Sequence, residues 1–209
     1  EKQQKEPGRE WGQASAEQLP IQAHSDVIVH RVANSRVTCI QGETGCGKSS
    51  VVPQLILSRG AAGSRGIRVL VAQPRRLAAT SLAGRVAQQL NCKLGEEVGF
   101  RISGKAIDGP KTKILFVTTG YLKERLLHNP EDLDNFSHLV LDEVHERTLE
   151  ADFVALLVKR YIRTHPDSPL RVVVMSATMQ SQLFTSYFTI PELGLHVEHP
   201  LFVGGKCFP

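Results

Sequence analysis

Residues 19–200 of this 209-residue chain predict a mostly parallel α/β domain with a phosphate loop behind its first strand. Three observations predict it. Apolar runs of four or five residues alternate with helix-length segments, as strands buried on both faces and their crossover helices do. The first run leads into Gly42-Glu43-Thr44-Gly45-Cys46-Gly47-Lys48-Ser49, and a later one ends on Asp142-Glu143. Such sheets collect ligands at the carboxyl ends of their strands, where both segments fall.

Taken in order, a helix over roughly Ala23 to Ala33 precedes the strand Val37-Thr38-Cys39-Ile40. After the glycine-rich loop, Ser50 to Leu57 continues as a helix. Arg68-Val69-Leu70-Val71-Ala72 is the second strand, and Leu77 to Leu90, with Ala, Leu and Val on one face, is a helix. Val98 to Ile102 and Ile114 to Val117 read as strands, and the Gly-, Lys- and Asp-rich stretch between them as a loop. Gly120 to His128 is a helix. The strand His138-Leu139-Val140-Leu141 ends at Asp142, a long helix runs from about Glu150 to Arg163, and Arg171-Val172-Val173-Val174-Met175 is a further buried strand.

The loop fits G-x-x-x-x-G-K-[ST]. Its glycines let backbone N–H groups close around phosphate oxygens, Lys48 reaches the β/γ-phosphates of a nucleoside triphosphate, and the Ser49 hydroxyl suits Mg²⁺. The phosphates would meet the N-terminus of the following helix, at Ser49 and Ser50. Asp142 at its strand end is placed to hold the same Mg²⁺, and Glu143, one residue on, to address the attacking water and to stand beside the metal. A base-reading N-K-x-D or a mobile arginine-rich lid would argue for a GTPase or a small-molecule kinase; the sequence contains neither, and the Asp-Glu pair favours hydrolysis over transfer.

The net charge of +4 and the pI near 9.0 are a mild basic excess, weak as an argument for nucleic acid. Cys39, Cys46, Cys92 and Cys207 form no C-x-x-C pair, and two of them sit in or beside the loop, so a reducing intracellular compartment, nucleus or cytoplasm, is expected. His196-Val197-Glu198-His199 lacks partnering ligands and reads as surface. No apolar run reaches the ~18 residues of a membrane span and no signal peptide opens the sequence, so a soluble protein with no membrane partner is expected. Residues 1–18 are polar and Gln/Glu/Lys-rich, an expected flexible or partner-dependent extension.

In chain order, Gly42 to Ser49, Gln73-Pro74-Arg75-Arg76-Leu77-Ala78-Ala79, Thr118-Thr119-Gly120, Asp142-Glu143-Val144-His145-Glu146-Arg147 and Ser176-Ala177-Thr178 resemble motifs I, Ia, Ib, II and III of the DEAH/RHA superfamily 2 RNA helicases. Thr119 and Val144 resemble the RHA-type branch more than the splicing-factor branch. The resemblance covers about Leu19 to Pro209. It implies a three-layer RecA-like P-loop NTPase fold and the ATP-binding half of an enzyme that couples hydrolysis of ATP, or another NTP, to translocation on single-stranded RNA. By the same resemblance Arg75 and Arg76 touch the RNA backbone or support the loop that does, and Thr118, Thr119 and Gly120 line the same path, without reading its sequence. Arg85 stacks on the nucleotide base, and His145, Ser176 and Thr178 link the γ-phosphate site to interdomain closure.

Two departures qualify the match. Ile102-Ser103-Gly104-Lys105 stands where the family often has Ile-Arg-Phe-Glu, and no motif IV, V or VI, with its Gln-Arg-x-Gly-Arg run, follows Thr178. Residues 201–209 then read as the start of a linker to a second RecA-like domain, which would be the principal partner; a protein activator is compatible with this reading. Pro20-Ile21-Gln22 is read as a helix start, not an adenine reader. The competing reading is a hydrolysis-poor relative that serves as an RNA-binding scaffold. Lys48, Asp142 and Glu143, all retained, argue against it.

Overall fold

The computed structural model describes residues 19–59, 66–178 and 181–204. The expected extension 1–18, Cys207 and the tail 205–209 lie outside the described residues. Eight strands form one sheet: β1 (Val37–Gln41), β2 (Val69–Gln73), β3 (Val98–Ile102), β4 (Lys105–Ile107), β5 (Ile114–Thr118), β6 (His138–Leu141), β7 (Arg171–Ser176) and β8 (Leu201–Phe202). Their spatial order is β4-β3-β5-β2-β6-β7-β1-β8. Every neighbouring pair is parallel except the β3/β4 hairpin.

Among the described residues six α-helices, α1 (Ser25–Asn34), α2 (Lys48–Arg59), α3 (Arg76–Gln89), α4 (Thr119–His128), α5 (Leu149–Thr164) and α6 (Ser181–Phe188), cover the two faces. Strand parity sorts the core into two sides. Val69, Val71, Val140, Val173 and Met175 pack with Ile28, Val52 and Val86 of α1–α3. Their alternates Leu70, Leu139, Val172 and Val174 pack with Leu122, Val158 and Phe188 of α4–α6. The result is the expected three-layer α/β/α architecture with a mostly parallel sheet.

Some expectations are corrected. The stretch between β3 and β5 is not all loop: Lys105–Ile107 turns back on β3, with Gly104 at φ +79° making the tight connection and Arg101 gripping Asp108 through two 2.7 Å hydrogen bonds. Helix α2 begins at Lys48, two residues before the expected start at Ser50, because the loop glycines and not hydrophobicity set its start. Beyond β7, α6 and β8 are additional elements, and β8 pairs in parallel with β1, so the sheet takes in Leu201 and Phe202. Gln22 lies in a short 3₁₀ turn, Pro20–His24, that leads into α1.

Candidate functional site

Parallel strands bring the ends of β1, β2, β5, β6 and β7 to one edge, and each of the five motifs begins or ends there. The loop after β1 is held from below: Gly42 N–H donates to the Ser176 carbonyl at 3.0 Å, tying the first motif to the end of β7. Gly45 (φ +87°) and Gly47 (φ +99°) take left-handed turns that a side chain would strain. Cys46 is buried in the loop floor, and Glu43 and Thr44 are exposed on its rim. Lys48 opens α2; its buried ammonium donates to the carbonyls of Gly42 (2.5 Å) and Glu43 (2.9 Å), which places it inside the cradle. Ser49 and Ser50 follow on the first turn of α2, Ser50 Oγ bonding back to the Gly47 carbonyl at 3.3 Å. Backbone N–H groups of a loop and of a helix N-terminus, with a lysine inside, form an anion site for a polyphosphate.

Asp142 is 2% exposed at the end of β6. Its Oδ1 accepts the Glu143 N–H at 2.9 Å, its Oδ2 accepts Gln73 Nε2 at 2.5 Å, and the Ser49 hydroxyl also bonds to it. Burial pushes its pKa up, against Ser49, Gln73, the Glu143 N–H and the Lys48 charge, which all favour the ionised form. Ser49 and Asp142 thus meet across β7 as hard oxygen donors, the chemistry a Mg²⁺ ion takes.

Glu143 adopts φ 51°, ψ 37°, a left-handed conformation that a non-glycine residue holds at a cost of about 1–3 kcal/mol and that clusters at functional sites. Arg147, at φ 48°, closes the same single turn of 3₁₀ helix, Val144–Glu146. The Glu143 pKa is raised by burial and by the neighbouring Asp142, with Lys48 and His145 pulling the other way. Oε2 of Glu143 lies 3.2 Å from His145 Nδ1 and yet has no hydrogen-bond donor. Nδ1 of His145 in turn accepts the Ala177 N–H at 3.3 Å. A buried carboxylate oxygen without a donor suits a polarised water, and His145 links the Asp-Glu segment to the end of β7. There Ser176 Oγ accepts the Thr178 N–H and donates to the Thr178 carbonyl, both at 3.3 Å.

The remaining sequence-derived residues occupy the neighbouring edge. Arg75, 73% exposed, pairs with Glu146 at 3.2 Å. Arg76 opens α3 and donates to the Ser103 carbonyl of the β3/β4 turn at 2.9 Å. Thr118 Oγ1 caps α4 by accepting the Tyr121 N–H at 3.3 Å; Thr119 is buried and Gly120 half-buried on the first turn. Arg85 is exposed on α3, one turn before Gln89, which bonds Gln54 of α2 at 2.7 Å. The exposed His196 and His199 stand apart from this edge, beside the Arg31–Glu198 ion pair. Gln73 is the site residue sequence reasoning missed. Parity held the signal: Gln73 shares the face of Val71, and Asp142 that of Val140.

A family model of the DEAD/DEAH box helicase matches residues 20–185. ATP-dependent RNA helicase DHX30 of Homo sapiens is 40% identical over 186 residues, 87% of this chain and 15% of that protein. Probable ATP-dependent RNA helicase spindle-E of Aedes aegypti is 39% identical over 83% of this chain and 12% of its own length. DExH-box ATP-dependent RNA helicase DExH1 of Arabidopsis thaliana is 37% identical over 84% of this chain and 18% of its own. The chain therefore spans less than a fifth of these relatives. With the family match over most of its described residues and the nucleotide loop and Asp-Glu pair meeting at one sheet edge, this chain belongs to the DEAD/DEAH box helicase family.

Proposed function

We propose that this chain is the first RecA-like, ATP-binding domain of an ATP-dependent RNA helicase, and that it hydrolyses ATP or another NTP with Mg²⁺ to drive movement along single-stranded RNA. The observation that carries the reading is Asp142, buried and bonded to Ser49, beside the donorless Glu143 Oε2. Lys48 neutralises the β/γ-phosphates, and Ser49 and Asp142, with Glu143 alongside, hold Mg²⁺, which supplies charge neutralisation on the leaving phosphates. Glu143 orients a water for attack on the γ-phosphorus and takes its proton as the bond to the bridging oxygen breaks. Its raised pKa makes it a stronger base. Arg85 stacks on the base, loosely enough for purines in general. His145, Ser176 and Thr178 pass the state of the γ-phosphate to a second RecA-like domain. That partner is also where arginine fingers would come from, worth about 10³–10⁵ in rate. The buried free thiols of Cys39 and Cys46 suit an intracellular, reducing setting, nucleus or cytoplasm.

Calorimetry and single-turnover hydrolysis test this together. The chain is expected to bind Mg²⁺-ADP and to hydrolyse ATP slowly. Lys48→Ala should weaken binding, and Glu143→Gln should keep binding while cutting the slow hydrolysis about 10²-fold or more. Unchanged titration in Lys48→Ala, or full hydrolysis in Glu143→Gln, would remove the assignment.

A further inference from the structure

Gln73 opens the segment Gln73-Pro74-Arg75-Arg76 and stands in register with Thr118 of β5, yet its side-chain amide is given to Asp142. It is 1% exposed at the end of β2, where a primary amide is costly to bury without partners. The register explains its position. Ala72 pairs with Leu141, and the Asp142 N–H donates to the Ala72 carbonyl at 3.1 Å, so Gln73 and Asp142 form the next rung of two parallel strands. Both side chains turn to the face where α2 begins. There Nε2 of Gln73 donates to Oδ2 of Asp142.

The second torsion of an aspartate is soft and roughly two-fold, so a carboxylate does not hold its own plane. Here the Glu143 N–H fixes one oxygen and Gln73 the other. The Ser49 hydroxyl bonds to the same carboxylate. We propose that Gln73 is a positioning residue for the metal: its amide sets the plane of the Asp142 carboxylate so that a lone pair stays aimed at the ion shared with Ser49. The inference rests on the reading of Asp142 as a Mg²⁺ ligand. It also makes the first residue of the strand-path segment a direct support of the nucleotide site, with Pro74 the sole residue between it and Arg75.

The test is ADP affinity by calorimetry in EDTA and across a Mg²⁺ series, for wild type, Gln73→Met, which keeps the volume and loses the donor, and Gln73→Asn, which keeps the amide but falls short of Asp142. Wild type should bind ADP more tightly as Mg²⁺ rises. Gln73→Met should need about 10- to 100-fold more Mg²⁺ for the same gain, the usual cost of losing a ligand's supporting hydrogen bond, with affinity in EDTA unchanged. Gln73→Asn should move the same way, and it carries the test alone if the methionine variant does not fold. In an Asp142→Asn background neither substitution should add a further loss. Equal weakening in EDTA would show a merely structural role and overturn the inference, as would a Mg²⁺ response identical to wild type. Absence of any Mg²⁺ response in wild type would overturn the metal reading and Gln73's role with it; a normal response shared by the variants overturns Gln73's role alone.

Discussion

His138 shows how far one buried side chain bends the stability of this domain. It opens β6, is 2% exposed, and lies opposite Arg171 in the register of β7, with Nδ1 2.9 Å from Ser137 Oγ. Burial, with Arg171 adding to it, lowers its pKa from 6.5 to about 4. The unfolded chain takes up this proton near 6.5 and the folded chain only near 4. Its contribution is therefore complete above pH 6.5, declines as pH falls between the two values, and levels off below about 4. At 1.36 kcal/mol per unit the whole span is worth ~3 kcal/mol. Asp142 and Glu143, both raised, give slopes of the opposite sign, so the comparison must be between variants. Urea unfolding at about pH 7 and about pH 5 should show wild type losing ~2 kcal/mol more than His138→Gln across that interval. Parallel pH slopes in the two proteins would mean that His138 titrates in the folded state as it does in the unfolded one.

At the scale of elements, sequence and structure agree where chemistry or two-sided burial leaves a mark. β1, β2, β5 and β7 are apolar on both faces and read as continuous runs; the glycine loop and Asp142-Glu143 are legible because phosphate and metal chemistry restrict the residues that serve. β4 is not legible, since its Lys105 and Ala106 are exposed on an edge and carry no burial pattern. β8 has two residues, too few for any period. Its meaning is tertiary: Val203, just after it, is fully buried, donates to the Gln41 carbonyl at 2.7 Å and packs beneath the loop. A Cβ on Gly42 would lie 2.4 Å from Val203 Cγ2 and 2.7 Å from its carbonyl oxygen. Gly42→Ala is expected to cost about 1–3 kcal/mol of stability and to weaken ADP binding by pushing the loop off its floor. Adding Val203→Ala removes the methyl contact but leaves the carbonyl, so part of the loss and not all of it should return. Melting temperature and ADP calorimetry on wild type and the two variants check this; a fully neutral Gly42→Ala would show that β8 does not brace the loop.

For the molecule as a whole, the order of motifs along the chain identifies the site, but not how its parts meet. Sheet order places β7 between Asp142 and the glycine-rich loop, and Gln73 meets Asp142 across 69 residues of sequence, neither of which any local pattern encodes. The same holds for the strand path. Arg75 and Arg76 are adjacent cations in sequence, and in the fold Arg75 shares its charge with Glu146 while Arg76 is anchored on the β3/β4 turn. An exposed ion pair of this kind is worth little, so a phosphate can displace Glu146 from Arg75. With a net charge of only +4 and one side of a path presented, binding to a short single strand should be detectable at low salt and fade near physiological ionic strength. Each phosphate neutralised contributes about −0.7 to the slope of log K against log salt, so Arg75→Ala/Arg76→Ala should flatten the slope by up to about 1.4. Glu146→Gln, which releases Arg75, should tighten binding at low salt. Fluorescence anisotropy of a labelled oligonucleotide across a salt series reads all three proteins. If the double variant keeps the affinity and slope of wild type, the strand does not cross the end of β2, and the two arginines serve only to tie that loop to Glu146 and Ser103.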